Sequence, residues 1–417
     1  MLKQKEEETN QQSSTPLMHF SCARSRLNHG LTTVARAVSK NSIDIQTMPL
    51  LGCIRLEVKD GFLILSVTDL NISVTSRIEL TESKEDIQEG VVAVPARMFA
   101  DLISKMRDGQ VTVSVAQDYM LYLTHSRGTA QLKCLDAEEY FPIPHAEDGE
   151  LPVLLPVIPL KEMVREISIA AAKDDAFPAL TCLFIHVENN KVVFAATDRF
   201  RTAHRLLPLP TDSKVTYDLL VPHRSLGEFS SILPNDGMVM MSVTPNKGQV
   251  IFHTQWITFS SRLLEGAFPN YAAAIPKKED RQTRVVVKTE EFKEIVQLTA
   301  PYANAGDSGV ICLSIKGSQG MEPGSLTVAS EPAELGSGQN SVTAAVEGGD
   351  QEEPINFNCK LLLDALNVVS TPEVSFEIGV MKVKNGEGES ISAPAGVLKP
   401  VGQNTCTHSF MSLSSSH

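Results

Sequence analysis

The chain has 417 residues, of which 42% are hydrophobic and 21% are charged, and its formal net charge is −13. This length suggests two to four domains, and no apolar run approaches the roughly 20 residues that cross a bilayer, so we expect a globular protein of the cytoplasm without membrane contact. The seven cysteines are scattered and form no C-x-x-C pair, which argues against disulfides and zinc sites.

The first part of the chain predicts an extension followed by a helix. Residues 1–17 are polar and cannot bury themselves, so they are predicted to form a disordered N-terminal extension. A helix is predicted from about Ser25 to Ser39, because apolar residues recur at helical spacing, at Leu27, Leu31, Val34 and Val38. A second stripe of this helix is mostly basic and contains Arg26, His29, Thr33, Arg36 and Lys40. The helix has no acidic residue, whereas a solvated helix face usually mixes both signs.

Two later segments repeat each other. Pro49–Asp69 and Pro178–Asp198 align without a gap at an offset of 129 residues. Each copy is predicted to form two strands around a tight turn, and a third, weaker copy with a longer turn surrounds Cys312. In every copy a short apolar strand then passes through Pro or Asn into an amphipathic helix, within Ala93–Phe99, Leu220–Leu226 and Asn356–Leu362.

These repeats predict three similar domains of about 130 residues, at residues 18–148, 149–279 and 280–417. Each domain would contain a helix, a hairpin, a strand, a second helix and further strands. The predicted fold class is therefore α+β with mainly antiparallel sheets. The charged, turn-rich segments His145–Pro152 and Lys277–Thr283 are the predicted linkers.

An acidic chain binds nucleic acid only through a local basic surface, because phosphate affinity comes largely from Lys and Arg. The basic stripe of the first helix is the strongest signal of this kind, and the helix near Leu160 repeats it more weakly. An ordinary solvated face is the competing interpretation. The residues predicted to contact DNA phosphates are Arg24, Arg26, Arg36, Lys40, Lys161, Arg165 and Lys173. Such contacts are independent of base sequence.

No catalytic residue, cofactor or metal site is predicted. The chain has no Walker A loop, no G-x-S-x-G elbow and no H-E-x-x-H motif. Cys53, Cys182 and Cys312 occupy equivalent strand positions in the three repeats, which fits core packing better than a nucleophile. A binding scaffold is therefore favoured, and an enzyme with a dispersed site is the competing class.

Several short motifs occur in the order and spacing of a known family. They are Val94–Arg97, Ala196–Asp198, Phe268–Tyr271 and the helix start Phe357–Asn358, followed by Leu363–Asp364. Together with the repeat, they resemble the bacterial beta sliding clamp, the processivity subunit of DNA polymerase III, over about Met18 to Leu366. The resemblance implies a homodimeric ring that encircles double-stranded DNA, with helices lining the inside and antiparallel sheets outside.

The resemblance also implies a pocket between the second and third domains. In the family this pocket receives short peptides from the DNA polymerase III catalytic subunit, the clamp loader and other clamp-motif proteins. Residue by residue, it maps onto Leu180, Thr197, Arg199, Phe200, Arg201, Thr202, Pro269, Ala273, Ala274, Lys360 and Met411. Thr197 fits a turn role equally well. The predicted contacts between the two copies are the strands near Leu121–Cys134 and the segment Thr299–Ala305.

Two departures from the family pattern motivate an alternative. The family commonly has Gly-His-Arg-Leu where this chain has Arg199-Phe200-Arg201-Thr202, and this chain has a Ser-rich tail where the family has an apolar strand. Arg199 and Phe200 are expected to narrow the pocket. The alternative function is a divergent clamp paralogue that encircles DNA but binds partner peptides weakly.

Overall fold

The computed structural model describes residues 15–39, 41–81, 86–211, 215–305, 309–319, 321–332, 336–384, 390–403 and 405–413. Lys40, residues 1–14 of the predicted extension and residues 414–417 of the Ser-rich tail lie outside the described residues. The chain forms two compact units. Unit 1 consists of Met1–Pro152 with Val239–Arg262, and unit 2 consists of Val153–Met238 with Leu263–His417.

Single helices separate runs of consecutive strands along most of the described chain, which is an α+β pattern. The helices are α1 (Arg24–Val34), α2 (Ser42–Thr47), α3 (Ala96–Lys105), α4 (Val157–Ser168), α5 (His223–Ile232), α6 (Thr289–Ala305) and α7 (Cys359–Val368). The strands of the first half are β1 (Met18–Ala23), β2 (Cys53–Lys59), β3 (Phe62–Thr68), β4 (Ile72–Glu79), β5 (Gly90–Pro95), β6 (Gln110–Val115), β7 (Met120–His125), β8 (Gly128–Lys133), β9 (Glu150–Pro156), β10 (Cys182–Glu188), β11 (Lys191–Thr197) and β12 (Arg201–Pro208).

The remaining strands complete four antiparallel sheets. They are β13 (Tyr217–Pro222), β14 (Met238–Val243), β15 (Gln249–His253), β16 (Ile257–Arg262), β17 (Arg281–Lys288), β18 (Val310–Lys316), β19 (Ser325–Ser330), β20 (Gln339–Thr343), β21 (Ala345–Gly348), β22 (Gln351–Asn358), β23 (Glu373–Lys384), β24 (Ser390–Pro400) and β25 (Cys406–Met411). The sheet orders in the described residues are β1-β6-β7-β8, β5-β2-β3-β4-β16-β15-β14-β9, β13-β10-β11-β12-β25-β24-β23-β17-β21 and β20-β19-β18-β22. The predicted α+β class is confirmed.

Helix α1 packs on its sheet through the predicted apolar stripe. Leu27, Leu31 and Val34 are each at most 1% exposed. Gly30 lies on the same face, where an added Cβ would approach the side chain of Ile78 to 2.7 Å. The helix therefore lies close on β4, and a larger residue at this position would push the two apart.

The predicted end of the first helix is wrong. The α-helix ends at Val34 and continues as a single 3-10 turn, Ala35–Ala37, instead of reaching Ser39. Thr32 and Thr33 donate hydroxyl hydrogen bonds to the carbonyl oxygens four residues earlier. Together with Val34 they form a β-branched run, which disfavours further α-helix. Thr33 is 5% exposed, so it does not belong to the exposed basic stripe.

The repeated hairpins are confirmed. Strands β2 and β3 pair with Lys59 opposite Phe62, and the two turn residues Asp60 and Gly61 have φ of 53° and 79°. This left-handed pair is the geometry of a tight hairpin turn. Strands β10 and β11 close around Asn189, whose φ is 54°. The third hairpin, β18–β19, has the longer turn expected for the weaker copy.

The repeated cysteines are core residues in the first two copies. Cys53 and Cys182 are 3% and 1% exposed, and burial raises the pKa of each thiol to about 11. Cys312 is half-buried, and burial raises the pKa of its thiol as well. A thiol with a raised pKa stays protonated and is a poor nucleophile at neutral pH. The packing interpretation is therefore supported.

The last strand of unit 2 lies inside its sheet. Strand β25 pairs with β12 on one side and with β24 on the other. Beside this junction, Arg205 on β12 forms ion pairs of 2.7 Å with Glu166 and 2.8 Å with Glu162, both on α4. Arg205 and Glu166 are buried, so each needs the other to compensate the loss of hydration. The pairs tie α4 to the sheet.

Candidate functional site

An open groove in unit 2 brings together four separate stretches of sequence. It consists of two adjoining cavities of about 680 Å³ and about 230 Å³, which share Phe177, Leu180 and Arg199 in their walls. The contributing stretches are 171–180, 197–202, 267–274 and 360–361. Cavities of this size hold a few side chains of a ligand, and their adjacency suits an extended segment.

The larger cavity is apolar. Its walls come from Phe177, the 3-10 turn Pro178–Thr181 and the segment from Ala267 to Tyr271. Phe268 stacks on Phe184 of β10 with 5.1 Å between ring centroids, which fixes this wall on the sheet. Among the described lining residues of this cavity, only Arg199 is charged. The cavity therefore favours apolar side chains.

The smaller cavity has a charged lining. Lys173, Arg199 and Lys360 contribute exposed cationic side chains. Asp174 and Asp198 contribute carboxylates. The cavity thus differs from its neighbour in polarity, although both share one wall.

A tight turn presents Arg199 to the groove. The hydroxyl of Thr197 donates to the carbonyl oxygen of Arg201 at 2.7 Å. The carboxylate of Asp198 accepts from the backbone N–H groups of Phe200 and Arg201 at 3.0 and 2.9 Å. Arg199 has a φ of 79°, in the left-handed region that favours glycine. Thr197 is 7% exposed and its hydroxyl holds the turn, which favours the turn interpretation.

The first repeat contains the same turn. Thr68 donates to the carbonyl oxygen of Ile72 at 2.9 Å, and Asp69 accepts from the N–H groups of Asn71 and Ile72. Leu70 takes the place of Arg199 and has a φ of 72°. The left-handed residue is therefore a property of the repeat, and only its side chain is specific to the groove.

Arg201 has a structural role. Its guanidinium contacts Asp198 and, on α7, Asp364, with N–O distances of 3.0 Å in both cases. The side chain is 4% exposed. Arg201 therefore joins the start of β12 to α7 and offers little surface to a ligand.

Most residues predicted for the pocket line the two cavities. Those that do are Leu180, Thr197, Arg199, Phe200, Arg201, Thr202, Pro269, Ala274 and Lys360. Ala273 and Met411 are absent from both linings. Ala273 is exposed within the 3-10 turn Tyr271–Ala274. Met411 contacts the turn through its backbone, by donating to the carbonyl oxygen of Phe200.

Sequence reasoning did not place several of the lining residues in the pocket, among them Phe177 and Lys173. Phe177 lies directly before the aligned segment that starts at Pro178, so the comparison of repeats did not reach it. Lys173 was predicted to contact DNA, but it lines the smaller cavity. Its position directly after the buried Ala172 carries no signal that separates these two roles.

Three predicted DNA contacts bond to the C-terminal ends of helices. Arg24 donates to the carbonyl oxygens of Ile103 and Ser104 at the end of α3. Lys161 donates to Leu233 and Pro234 after α5, at 3.1 Å each. Arg165 donates to Val368 at the end of α7. Cations at these ends satisfy free carbonyls and oppose the negative end of the helix dipole.

Among the helices, α1 and α3 of unit 1 have the clearest excess of exposed positive charge. Arg26 and Arg36 are exposed on α1 and its 3-10 extension, which contain no acidic residue. The neighbouring helix α3 adds exposed Arg97 and Lys105 against one carboxylate, Asp101. Helices α4 and α7 carry balanced charge, and α6 has more acidic than basic residues. The prediction that the basic bias is strongest in the first repeat therefore holds for the exposed side chains as well.

A further cavity of about 940 Å³ lies in unit 1, and its mostly apolar lining includes Val38, Ile45, Ile54, Met98 and Leu102. Within the described ranges, no group of three His, Cys, Asp or Glu residues is arranged to hold a metal ion. No helix in that part of the chain is long and apolar enough to cross a membrane.

Comparisons with known proteins agree along the chain. Family models described as the N-terminal, central and C-terminal domains of the DNA polymerase III beta subunit match residues 18–144, 155–270 and 273–384. The beta sliding clamp of Bacillus subtilis (strain 168) is 29% identical over 362 residues, which cover 86% of this chain and 92% of that protein. The beta sliding clamp of Synechocystis is 29% identical over 409 residues, covering 92% and 97%.

The solved structures agree with the sequence comparisons. The crystal structure of the DNA polymerase sliding clamp from Bacillus subtilis superimposes with a TM-score of 0.83 at 26% identity, over 96% of this chain and 100% of that one. The three domain matches follow one another in the order of the repeats, and the groove lies between the central and C-terminal matches. The chain therefore belongs to the family of the DNA polymerase III beta subunit, the bacterial beta sliding clamps.

Proposed function

We propose that the chain acts in the cytoplasm as a non-catalytic sliding clamp. Two copies pair head to tail into a ring around duplex DNA, and each holds partner proteins by a short peptide. The partners are the DNA polymerase III catalytic subunit, which gains processivity, together with the clamp loader and other clamp-motif proteins. The domain boundaries 18–148, 149–279 and 280–417 belong to the same proposal.

The groove in unit 2 carries this proposal. Its walls assemble from stretches as far apart as Lys173 and Lys360. An apolar cavity beside a charged one suits an extended peptide with apolar anchors and a polar end. A few buried anchors usually supply most of the binding energy in such grooves.

The DNA contact is proposed to centre on α1 and α3. Arg26, Arg36, Arg97 and Lys105 are exposed on this pair of helices. Phosphate contacts from such a face are independent of base sequence, so they permit sliding. Arg24, Lys161 and Arg165 support the helices that carry or neighbour such contacts, because they bond to helix ends.

Calorimetry with a Gln-Leu-x-Leu-Phe peptide tests the groove. We expect the peptide to bind with its apolar residues in the larger cavity. Leu180→Asp should abolish binding, because it places a charge in the wall that both cavities share. Ile158→Asp, at an exposed apolar position of α4, is the matched control and should leave binding unchanged. Absence of heat for the wild type and for the Arg199→Gly variant would favour the divergent paralogue.

A further inference from the structure

Arg199 and Phe177 form a partition in the groove. The guanidinium carbon of Arg199 lies 4.5 Å from the ring centroid of Phe177, in the geometry of a cation–π contact. Both residues line both cavities. The ring is 49% exposed, so it serves as a platform at the surface. The stack therefore separates an apolar compartment from a charged one.

The contact with the ring restricts where the guanidinium can lie. An arginine that lies flat on an aromatic ring keeps its N–H donors at the edge of the plane, where they can form two parallel bonds to a carboxylate. The turn restricts Arg199 further, because its N–H donates to the Thr197 hydroxyl and the next N–H, that of Phe200, donates to the Asp198 carboxylate. The group is thus oriented before any ligand binds, which reduces the entropy lost on binding.

The charges around the smaller cavity leave a positive excess. Asp198 is engaged by Arg201 and by two backbone N–H groups. Among the ion pairs recorded between described residues, none engages Arg199, whereas Lys360 lies 4.0 Å from Asp364. Asp364 is also paired with Arg201. Lys173 and Arg199 are thus opposed mainly by Asp174 at the rim.

We propose that the Arg199–Phe177 stack makes this groove selective for partner peptides that carry a carboxylate side chain next to their apolar anchors. The anchors occupy the larger cavity, and the carboxylate crosses the partition to the edge of the Arg199 guanidinium in the smaller one. This inference rests on the proposed function of the groove. It adds a preference that the chemistry of the apolar cavity alone would not produce.

Two isosteric peptides test the preference. Acetylated Glu-Leu-Ser-Leu-Phe and Gln-Leu-Ser-Leu-Phe differ in one charged group, and both are titrated into the full-length protein. We expect the Glu peptide to bind about fivefold more tightly at low salt, the order of a single charge-assisted hydrogen bond at an exposed site. The ratio should fall toward one as the salt concentration rises.

Variants of the partition separate its two parts. Arg199→Gln should bring the ratio of the two affinities to about one, while Arg199→Lys should keep part of the preference. Phe177→Leu keeps an apolar wall but removes the platform, so the ratio should fall while the Gln peptide still binds. Arg127→Gln changes the net charge equally at an exposed turn of unit 1 and should leave the ratio unchanged.

The possible results distinguish this inference from the proposed function. Equal binding of both peptides to the wild type would overturn the preference and leave the groove as a peptide site. A preference that persists in Arg199→Gln would overturn the assignment to Arg199 and point to Lys173 or Lys360. If neither peptide binds the wild type or Arg199→Gly, the proposed groove function itself fails, and the preference with it.

Discussion

At the scale of single residues, the turn at Arg199 shows how a backbone geometry repeated within the chain can carry different chemistry. Leu70 and Arg199 occupy equivalent turns with nearly equal φ, yet neither is glycine. A non-glycine residue in this region costs on the order of 1 kcal/mol of backbone strain. Leu70 does not line the groove, whereas Arg199 in the equivalent turn presents its cationic side chain to both cavities.

Replacement of Arg199 by glycine should tighten binding of the Gln-Leu-x-Leu-Phe peptide. The change removes the side chain that narrows the groove and relaxes the turn. Leu70→Gly relaxes the equivalent turn outside the groove, so it should leave peptide affinity unchanged. Calorimetry of both variants beside the wild type is the measurement. Weaker binding in Arg199→Gly would show that the arginine supports uncharged ligands as well.

Two histidines on the paired strands β12 and β25 should make unit 2 sensitive to acid. Burial, with smaller contributions from Arg201 and His204, lowers the pKa of His408 to about 3. Burial, reinforced by Lys399, lowers the pKa of His204 to about 4. The unfolded chain takes up these protons near pH 6.5 and the folded chain only near pH 3 to 4. The part of the unfolding free energy that depends on these two histidines is therefore fully present above pH 6.5 and is lost as the pH falls through this window.

Within this pH window, each histidine is expected to lower the free energy of unfolding by up to about 1.4 kcal/mol for each unit by which the pH falls. Urea unfolding between pH 7.5 and 5 measures it. His408→Gln should make the dependence of the unfolding free energy on pH shallower, whatever its effect at pH 7.5. His29→Gln, at an exposed position on α1, is the control. An unchanged slope in His408→Gln would rule out this histidine as the source.

At the scale of elements, periodicity predicts well what depends on neighbours in sequence. The hairpins and the starts of α3, α5 and α7 follow from alternation, turn residues and helical spacing. The end of α1 was missed because hydroxyl groups of Thr32 and Thr33 compete within the helix, a local effect that apolar spacing does not report. The fold class was therefore accessible, and exact helix ends were not.

Basic residues on helices were harder to interpret. Charge spacing alone cannot separate a cation that faces solvent from one that reaches the end of another helix. Arg24, Lys161 and Arg165 each bond across to a different helix. Those partners lie far away in sequence, so only the packed structure reveals them. The groove was inaccessible for the same reason, except through resemblance to the family.

Lys161→Met should destabilise the protein without changing how it binds DNA. The substitution keeps most of the side-chain volume but leaves the carbonyls of Leu233 and Pro234 without their donor. We expect a loss of about 1 kcal/mol in the free energy of unfolding, measured with urea. A loss of DNA affinity at unchanged stability would instead indicate that Lys161 contacts DNA.

At the scale of the whole molecule, DNA retention should depend on α1. Reversing the charge of Arg26 and Arg36 together should weaken retention on circular duplex DNA and make its salt dependence shallower. Each lost phosphate contact lowers the log–log slope by about 0.9. Lys59→Glu with Lys247→Glu, at exposed hairpin turns, changes the net charge equally and is the control. Full retention by the α1 variant would refute the assignment.

The pairing of two copies should depend on exposed apolar residues of α6. Within the predicted contact segment, Thr299 is fully buried and bonds inside its own core, so its side chain is not available to a partner. Leu298 and Tyr302 are 53% and 38% exposed, one turn apart on the same helix. Strand β8 lies at the edge of its sheet among the described residues, and an edge strand can pair with a strand of another copy in a head-to-tail contact.

We therefore expect a dimer at micromolar concentration by native mass measurement. Leu298→Asp should shift it toward monomer, because the charge would be desolvated in the contact. Ile158→Asp, on an equally exposed apolar residue of α4, should not. A wild type that is monomeric at micromolar concentration would contradict the ring.

The place of β25 has a consequence for biosynthesis. This strand fills the gap between β12 and β24, so the sheet of unit 2 cannot close until Met411 has left the ribosome. Until then the nascent polypeptide exposes two unpaired strand edges, of which β12 was translated some two hundred residues earlier. Unpaired edges invite association with other chains. We therefore expect the incomplete sheet of unit 2 to be prone to association with neighbouring nascent chains until β25 is added.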